Sequence, residues 1–482
     1  MSENKNLAFD AIDSVSQDIC NLGDAIWDNP ETAFLETEST RLQCELLESL
    51  GFEVQTNLAG IPTAFSGRYG SGKPVIGILG EFDALSGMSQ QANTVEKQPI
   101  CDGANGHGCG HNLLGAGSVA AAYGIMQYLK QTGKSGTVIY FGCPGEEGGS
   151  GKAFMARDGV FDELDVALTW HPGDNNTAWY ESTLANFQIN YKFAGRASHA
   201  AAVPHLGRSA LDAVELMNVG VQFLREHVKE DVRMHYAITN AGGTSPNVVQ
   251  ANAEVLYLIR AAKLPDVAEV AERVNNIARG AAMMTDTKLE IEFIKACSNF
   301  VMNNVLADVL QENLLQVDLP AYTEQELAYA QSFRDTMEKN TNTIAALARK
   351  LPKEQAEWVM AQPLEPVCNF VIPRIYAESV LPGSTDVGDV SWVCPTAQLS
   401  AASWVTGTPA HSWQAVAQGK GPIAHKSTIY AGKVLAAAAI DLLNAPEKIE
   451  AAKKEHFDRL EGKQYVPPIP KDVKPRAIGK KK

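Results

Sequence analysis

The first periodic signal in the chain is helical: apolar Phe9, Ile12, Ile19, Leu22 and Ile26 recur at spacings of three, four or seven. A second helical pattern runs from Glu36 to Leu50 and stops at Gly51, a residue suited to the left-handed end of a helix. Two helices are therefore predicted to open the chain. Short apolar runs then alternate with helical ones: a strand over 74–79, a helix over 115–129, a strand over 137–141, a helix near 151–157 and a strand over 166–170. Strands separated by helices are joined by crossovers, so the pattern predicts an α/β domain with a largely parallel sheet.

At Ala185 the pattern changes to a strand over 186–193, a helix over 209–227, strands over 234–239 and 253–260, a helix over 265–283 and a strand over 288–294. That order, β-α-β-β-α-β, is the ferredoxin-like split unit. Helical, charged segments follow to about Met360, then a strand over 398–405 and a helix over 427–443. The predicted architecture is an α/β catalytic domain in two parts, 1–181 and 297–482, interrupted by a smaller α+β domain over 182–296. The Pro- and Lys-rich tail from Pro467, PPIPKDVKP, reads as a surface extension.

Composition narrows what such a protein does. The 482 residues carry 41 Lys and Arg against 56 Asp and Glu, a formal net charge of −15, and 45% of the chain is hydrophobic. This is too apolar for a disordered chain and long enough to bury a large core. The acidic balance argues against nucleic acid as a partner, because nucleic-acid binders need a basic footprint. The opening MSENKNLAFDAIDSVSQDIC has early acidic residues and no apolar core before a small-residue cleavage site, so a cytoplasmic protein is expected. Asn112, Ser118 and Gln127 make the weakly charged 112–129 stretch a poor membrane span and a good buried helix, so no membrane partner is expected. The eight cysteines are dispersed, and reduced thiols are the expectation, with any special one marked by its neighbours.

Candidate chemistry gathers at four places. In Gly106-His107-Gly108-Cys109-Gly110-His111-Asn112 the glycines free the backbone to turn a thiolate and an imidazole toward one ion, although the run by itself is equally a flexible turn. Cys143-Pro144-Gly145-Glu146-Glu147-Gly148-Gly149 follows the 137–141 strand, and in open α/β sheets ligands bind beyond the carboxyl ends of strands. Two adjacent carboxylates there either form a solvated loop or divide labour, one ligating a cation while the other handles a proton. His171 closes the 166–170 strand and Asp83 follows the 74–79 strand. Taken singly, the first reads as a hydrogen-bonded structural histidine and the second as a turn or capping residue, or as the orienter of a histidine. Together the four places read as a metal centre, whose thiolate, imidazoles and carboxylate suit Zn²⁺ or Mn²⁺ rather than Mg²⁺ or Ca²⁺. A Cys109 nucleophile with His107 or His111 as base is the competing reading, and it leaves Glu146, Glu147 and His171 without a task.

The ordered motifs GEFDAL, GHGCGHN, PGEEGGSGK, WHP, GRASHAAAVPHLGRSALDA, GGTSPNVVQANAEV, STDVGDVSW and GTPAHSW resemble, along nearly the whole chain, the aminoacylase and indoleacetyl-amino-acid hydrolase family of two-metal amidohydrolases. The resemblance implies a metallopeptidase-like catalytic domain with an inserted lid and dimerisation domain, two divalent ions (Mn²⁺ or Zn²⁺), and hydrolysis of the amide bond of a small N-acyl amino acid. The opening IWDNPETAFLETEST and the closing IAHKSTIYAGKVLAAA look most like a bacterial member acting on p-aminobenzoyl-glutamate. Indoleacetyl or benzoyl amino acids and small dipeptides are the alternative substrates.

The resemblance also implies roles for single residues. Cys109, His111, Glu147, His171 and His411 match metal ligands, Glu146 the general base and Asp83 a support for the ligands. His411 is preferred to His425 because it follows Gly407-Thr408-Pro409. Two positions depart: Glu81 stands where other branches place a ligating His, and Asn112 replaces the Asp that commonly follows the Cys-Gly-His motif. In the inserted domain His199 matches a lid residue that reaches the partner subunit's site and polarises the scissile carbonyl. Asn247 matches a substrate contact, and Arg260 a clamp on a substrate carboxylate, which a guanidinium performs well. A homodimer or a heterodimer with a homologous subunit is expected. A non-catalytic supporting subunit is the alternative of another class, and the full ligand set argues against it.

Overall fold

A computed structural model of the chain describes residues 3–337, 343–363, 365–376 and 378–477. Its strands, in chain order, are β1 (Glu53–Thr56), β2 (Phe65–Ser71), β3 (Val75–Glu81), β4 (Gly136–Cys143), β5 (Val166–Gly173), β6 (Thr177–Ala178), β7 (Ser182–Thr183), β8 (Ala185–Ala194), β9 (Arg233–Asn240), β10 (Asn252–Ala261), β11 (Lys288–Cys297), β12 (Val380–Leu381) and β13 (Thr396–Ala402). Seven of them form one sheet in the order β1-β2-β4-β3-β5-β13-β6. Its centre is parallel, β4 with β3, β3 with β5 and β5 with β13, as the alternation of strands and helices predicts. The pairings of β1 with β2, β2 with β4 and β13 with β6 are antiparallel.

β3 reads Val-Ile-Gly-Ile-Leu-Gly-Glu and is buried throughout, as a strand covered on both faces must be. Its pleat sends Ile76 and Ile78 into one core and Val75 and Leu79 into another, and β4 does the same with Val138 and Tyr140 against Ile139 and Phe141. The first core is roofed by the helices Glu3–Ser14, Ser16–Asp28, His111–Thr132, Asn304–Gln316 and Pro422–Asn444, the second by Gly151–Arg157 and Val387–Val393. The opening periodicity is carried by two helices rather than one. The chain breaks at Val15 (φ −113°, ψ 8°), while Ile12 and Ile19 stay in the same core.

β8 to β11 form a separate antiparallel sheet in the order β11-β8-β10-β9, with the helices Ala210–Leu224 and Leu264–Thr285 packed on one face. Along β10 buried residues alternate, and Val255, Tyr257 and Ile259 face those helices. The chain enters and leaves this unit side by side. Ser182 Oγ donates to Phe300 O at 2.7 Å, Phe300 N donates to Thr183 Oγ1 at 3.3 Å, and β7 pairs with β12. Among the described residues no single helix is long and apolar enough to cross a membrane. The bent pair Pro422–Asn444 and Pro446–Arg459 passes on combined length and composition, and the first of these is a core helix.

The tail from Pro467 is docked rather than extended. Ile469 is buried in the second core, Arg157 Nη1 donates to Pro470 O (3.0 Å) and Val473 O (2.8 Å), and Arg476 Nη1 lies 3.4 Å from Glu292 of β11. Just upstream, Tyr465 OH donates to Asp389 Oδ1 at 2.8 Å. A proline-rich composition hides the apolar anchors at Ile469 and Val473.

Asp389 is fully buried and also accepts from Ser298 N (2.9 Å) and Ser298 Oγ (2.8 Å). Burial pushes its pKa up to about 7 against these donors. An unfolded aspartate titrates near about 3.9, so between the two values only the folded state keeps the proton. The stability this confers is present in full below about pH 4 and is lost as the pH rises through about 7. Asp389→Asn should remove that dependence. Denaturant unfolding from about pH 4 to about pH 8 should show the variant gaining on the wild type as the pH rises.

Candidate active site

Parallel neighbours end on the same side of a sheet, so β3, β4 and β5 deliver Glu81 to Asp83, Glu146 with Glu147, and His171 to one place. Cys109 and His111 arrive differently: they stand at the start of the helix His111–Thr132, after the long 82–110 connection. Gly110 caps that helix at φ 75°, and a Cβ there would lie 2.9 Å from Trp404 and 3.0 Å from Pro172, so only glycine fits. Gly151 closes the Glu146–Glu147 turn, where a Cβ would meet the Pro144 carbonyl at 1.9 Å. His411 comes from the loop after β13, and its backbone N–H donates to Gly108 O at 3.0 Å, tying it to the Cys109 turn.

Three groups of candidate ligand atoms result, with all atoms of a group within 4.8 Å of one another: Cys109, His111 and His171; Cys109, Glu147 and His411; and Glu81, His111 and Glu146. Cys109 is shared by the first two and His111 by the first and third. Cys109 Sγ lies 3.5 Å from His171 Nε2, and His411 Nε2 lies 3.1 Å from Glu147 Oε1. Asp83 holds the arrangement: Oδ1 is 2.9 Å from His111 Nδ1 and Oδ2 accepts the Glu147 backbone N–H at 2.8 Å. The Nδ1–H of His111 therefore faces Asp83, which leaves Nε2 as the nitrogen that a metal would take. His171 is oriented likewise, with Nδ1 2.7 Å from Pro172 O.

The electrostatics divide the two glutamates. Burial, Glu81 and Glu147 push the Glu146 carboxyl well above the usual carboxylate range. Burial acts on Glu147 in the same direction, but the neighbouring His411 and His111 imidazoles outweigh it and hold Glu147 down at about 2. Burial and Glu147 push the Cys109 thiol up. For His111 burial is outweighed by the Cys109 sulfur and the Asp83 carboxylate, which raise it well above the ordinary histidine value.

This donor set fits a divalent metal. Bonds of about 2.0 Å to nitrogen and 2.3 Å to sulfur across a tetrahedral angle span about 3.5 Å, the separation of His171 Nε2 and Cys109 Sγ. His111 Nε2 and Glu147 Oε1 are buried without a hydrogen bond, although Glu81 Oε2 and His411 Nε2 lie at 3.2 Å and 3.1 Å. Buried polar atoms are seldom left so unless a ligand takes them.

Other residues singled out in the sequence lie elsewhere. His425 Nε2 is 2.8 Å from Asp24 and belongs to a helix–helix contact. His107 Nε2 is 3.1 Å from Ile26 O, and burial pushes its pKa down to about 3. Asn112 ties the helix start to Gly23 O (3.2 Å) and Gly419 O (2.9 Å), so its departure from the usual Asp leaves the support of His111 to Asp83. His199 and Asn247 are exposed on the inserted unit, where His199 Nδ1 accepts from Ala201 N and Ala202 N at 3.2 Å. Arg260 Nη1 donates to Ser384 Oγ at 3.2 Å and its Nε is buried without a partner. Sequence reading missed Lys152 and Asp386. Both lie inside quoted motifs, and both are buried against Glu81 or its partner. Asp83→Ala, which releases both His111 and the Glu147 backbone, should weaken divalent-metal affinity by about 10-fold to 100-fold, as measured by equilibrium dialysis.

Residues 78–356 match peptidase family M20/M25/M40. The chain is 46% identical over 487 positions to one of the subunits of the p-aminobenzoyl-glutamate hydrolase of Escherichia coli (strain K12), with 99% of this chain and 100% of that one covered. It is 28% identical to the Xaa-Arg dipeptidase of Mus musculus, covering 96% of this chain and 94% of that one. A dinuclear metal-binding peptidase of the M20 family from Bacillus subtilis shares the fold with a TM-score of 0.53 at 16% identity, over 90% of this chain and 99% of that one. With a family match across more than half its length and a relative aligned end to end, the chain belongs to peptidase family M20/M25/M40 and is a metal-dependent amidohydrolase.

Proposed function

We propose that the chain hydrolyses the amide bond of p-aminobenzoyl-glutamate to p-aminobenzoate and glutamate. One observation carries this reading: a glutamate of raised proton affinity, Glu146, stands within 4.8 Å of His111 in a chain 46% identical, end to end, to part of a hydrolase of that substrate. Cys109, His111, Glu147, His171 and His411 would hold two divalent ions, Mn²⁺ or Zn²⁺. When bound, these supply an acidified water and a Lewis acid for the carbonyl oxygen.

The remaining chemistry belongs to the chain. Glu146 takes the proton of the attacking water and returns it to the leaving amine nitrogen, a task that favours a carboxylate with a raised pKa. Glu147, held ionised, does not compete for that proton. Asp83 keeps His111 and the Glu147 backbone in register. His199 and Asn247, exposed on the inserted domain over 182–296, act on the site of a partner chain, where His199 polarises the scissile carbonyl. Arg260, with its Nε unpartnered, takes a substrate carboxylate. The partner is a second copy or a homologous subunit. The mouse relative favours a second substrate class, dipeptides ending in arginine.

A product screen on the Mn²⁺- or Zn²⁺-loaded chain separates the two classes: p-aminobenzoate should be released fastest, and cleavage of Xaa-Arg dipeptides alone overturns the aroyl-glutamate reading. Glu146→Gln should lower turnover by about 10²-fold to 10⁴-fold with metal content unchanged. Metal loss in that variant would mean that Glu146 and Glu147 have exchanged roles. Mixing inactive His199→Ala and Glu146→Gln chains should restore activity, because one of the two sites in a mixed dimer has both native groups. Demonstrated subunit exchange without recovered activity would place His199 in its own chain's site or outside the chemistry.

A further inference from the structure

Lys152 is buried to 0% exposure, and no step of the reaction above uses it. Its ammonium lies 2.7 Å from Glu81 Oε1 and 2.5 Å from Asp386 Oδ1, and its own backbone N–H donates to Asp386 Oδ2 at 2.9 Å. One aspartate thus fixes the lysine at both ends. Desolvating an ammonium is costly, so it is found buried only where carboxylates meet it, as two do here.

The same contact fixes Glu81. With Oε1 on the ammonium, Oε2 is left 3.2 Å from His111 Nε2, near that nitrogen but without hydrogen-bonding geometry. His111 Nε2 is the nitrogen that a metal would take, because Nδ1 is turned to Asp83. We infer that Lys152, anchored by Asp386, is a positioning residue that holds Glu81 off His111 Nε2 and so keeps this nitrogen open to a divalent cation. Freed from the ammonium, Glu81 turns onto His111, whose Nε2 is already 3.2 Å away, and occupies the ligand position. The inference rests on His111 being a metal ligand and adds a residue on the far side of Glu81 from it. Outer partners of this kind commonly change metal affinity by about 10-fold to 100-fold when lost.

A double-mutant cycle on Lys152→Met and Glu81→Ala, read as Mn²⁺ affinity by equilibrium dialysis without substrate, tests it. Lys152→Met should weaken binding by about 10-fold or more with Glu81 present, and by less than about 3-fold in the Glu81→Ala background. Should Lys152→Met not fold, Asp386→Asn, which keeps the ammonium but loosens its anchor, takes its place and should show the same dependence on Glu81. Equal losses in the two backgrounds, or no loss in either, overturn the inference, because a lysine needed only for folding does not couple to Glu81 in metal affinity. Mn²⁺ bound by the wild type with zero coupling overturns the positioning role alone; a wild type that binds no divalent metal overturns the metal-centre reading as well.

Discussion

Charge at the ends of the parallel strands is the constraint on which the rest depends. Glu81, Asp83, Glu146, Glu147 and Asp386 meet in a region that holds the ammonium of Lys152 and the imidazoles of His111 and His411. Buried carboxylates must be paired, protonated or shared with a metal, and this chain uses different solutions for neighbours. Asp83 is spent on hydrogen bonds, Asp386 on Lys152, Glu147 lies beside His411, and Glu146 is pushed well above the usual carboxylate range. Two glutamates adjacent in sequence are thereby made chemically unlike, which is the difference that the proposed roles of ligand and base require.

The inserted unit works under the opposite constraint. Its sheet and two helices enclose their own apolar core, and its ties to the rest include the paired crossings at Ser182–Thr183 and Phe300, the Arg260 contact to Ser384, the tail contact at Glu292 and the packing of Phe187, Phe293 and Ala296 on the second core. The segments that carry exposed His199 and Asn247 are joined by backbone, Ala200 N donating to Asn247 O at 2.9 Å.

Much of this was legible in the sequence, because two signals are strong. Continuous apolar runs mark β3, β4 and β5, and alternation marks β8 and β10, so the central sheet and the split unit both follow from period and order. The motifs drew the candidate ligands from distant parts of the chain, and of the two histidines weighed for the last position His411 lies 3.1 Å from Glu147, while His425 lies 2.8 Å from Asp24. What escaped detection lacks a local signature. β2 is interrupted by Gly67 and Gly70, Val15 breaks a helix without breaking its apolar face, and the Lys152–Asp386 pair joins residues 234 positions apart. No periodicity encodes a partnership of that kind.

The place of β13 has a consequence for how the protein is made. Thr396–Ala402 lies between β5 and β6, parallel to one and antiparallel to the other, although both were synthesised long before it. The split unit is contiguous from Ala185 to Cys297 and has every strand it needs once that stretch has left the ribosome. The main sheet has not: one edge of β5 stays unpaired, with its backbone groups open to wrong partners, until residue 402 emerges. A nascent chain therefore carries Cys109, His111, Glu147 and His171 on an unfinished sheet, and the strand that fills the slot is also the one that brings His411. The strand that closes the slot in the sheet and the histidine proposed to complete the site thus come from one late stretch of sequence.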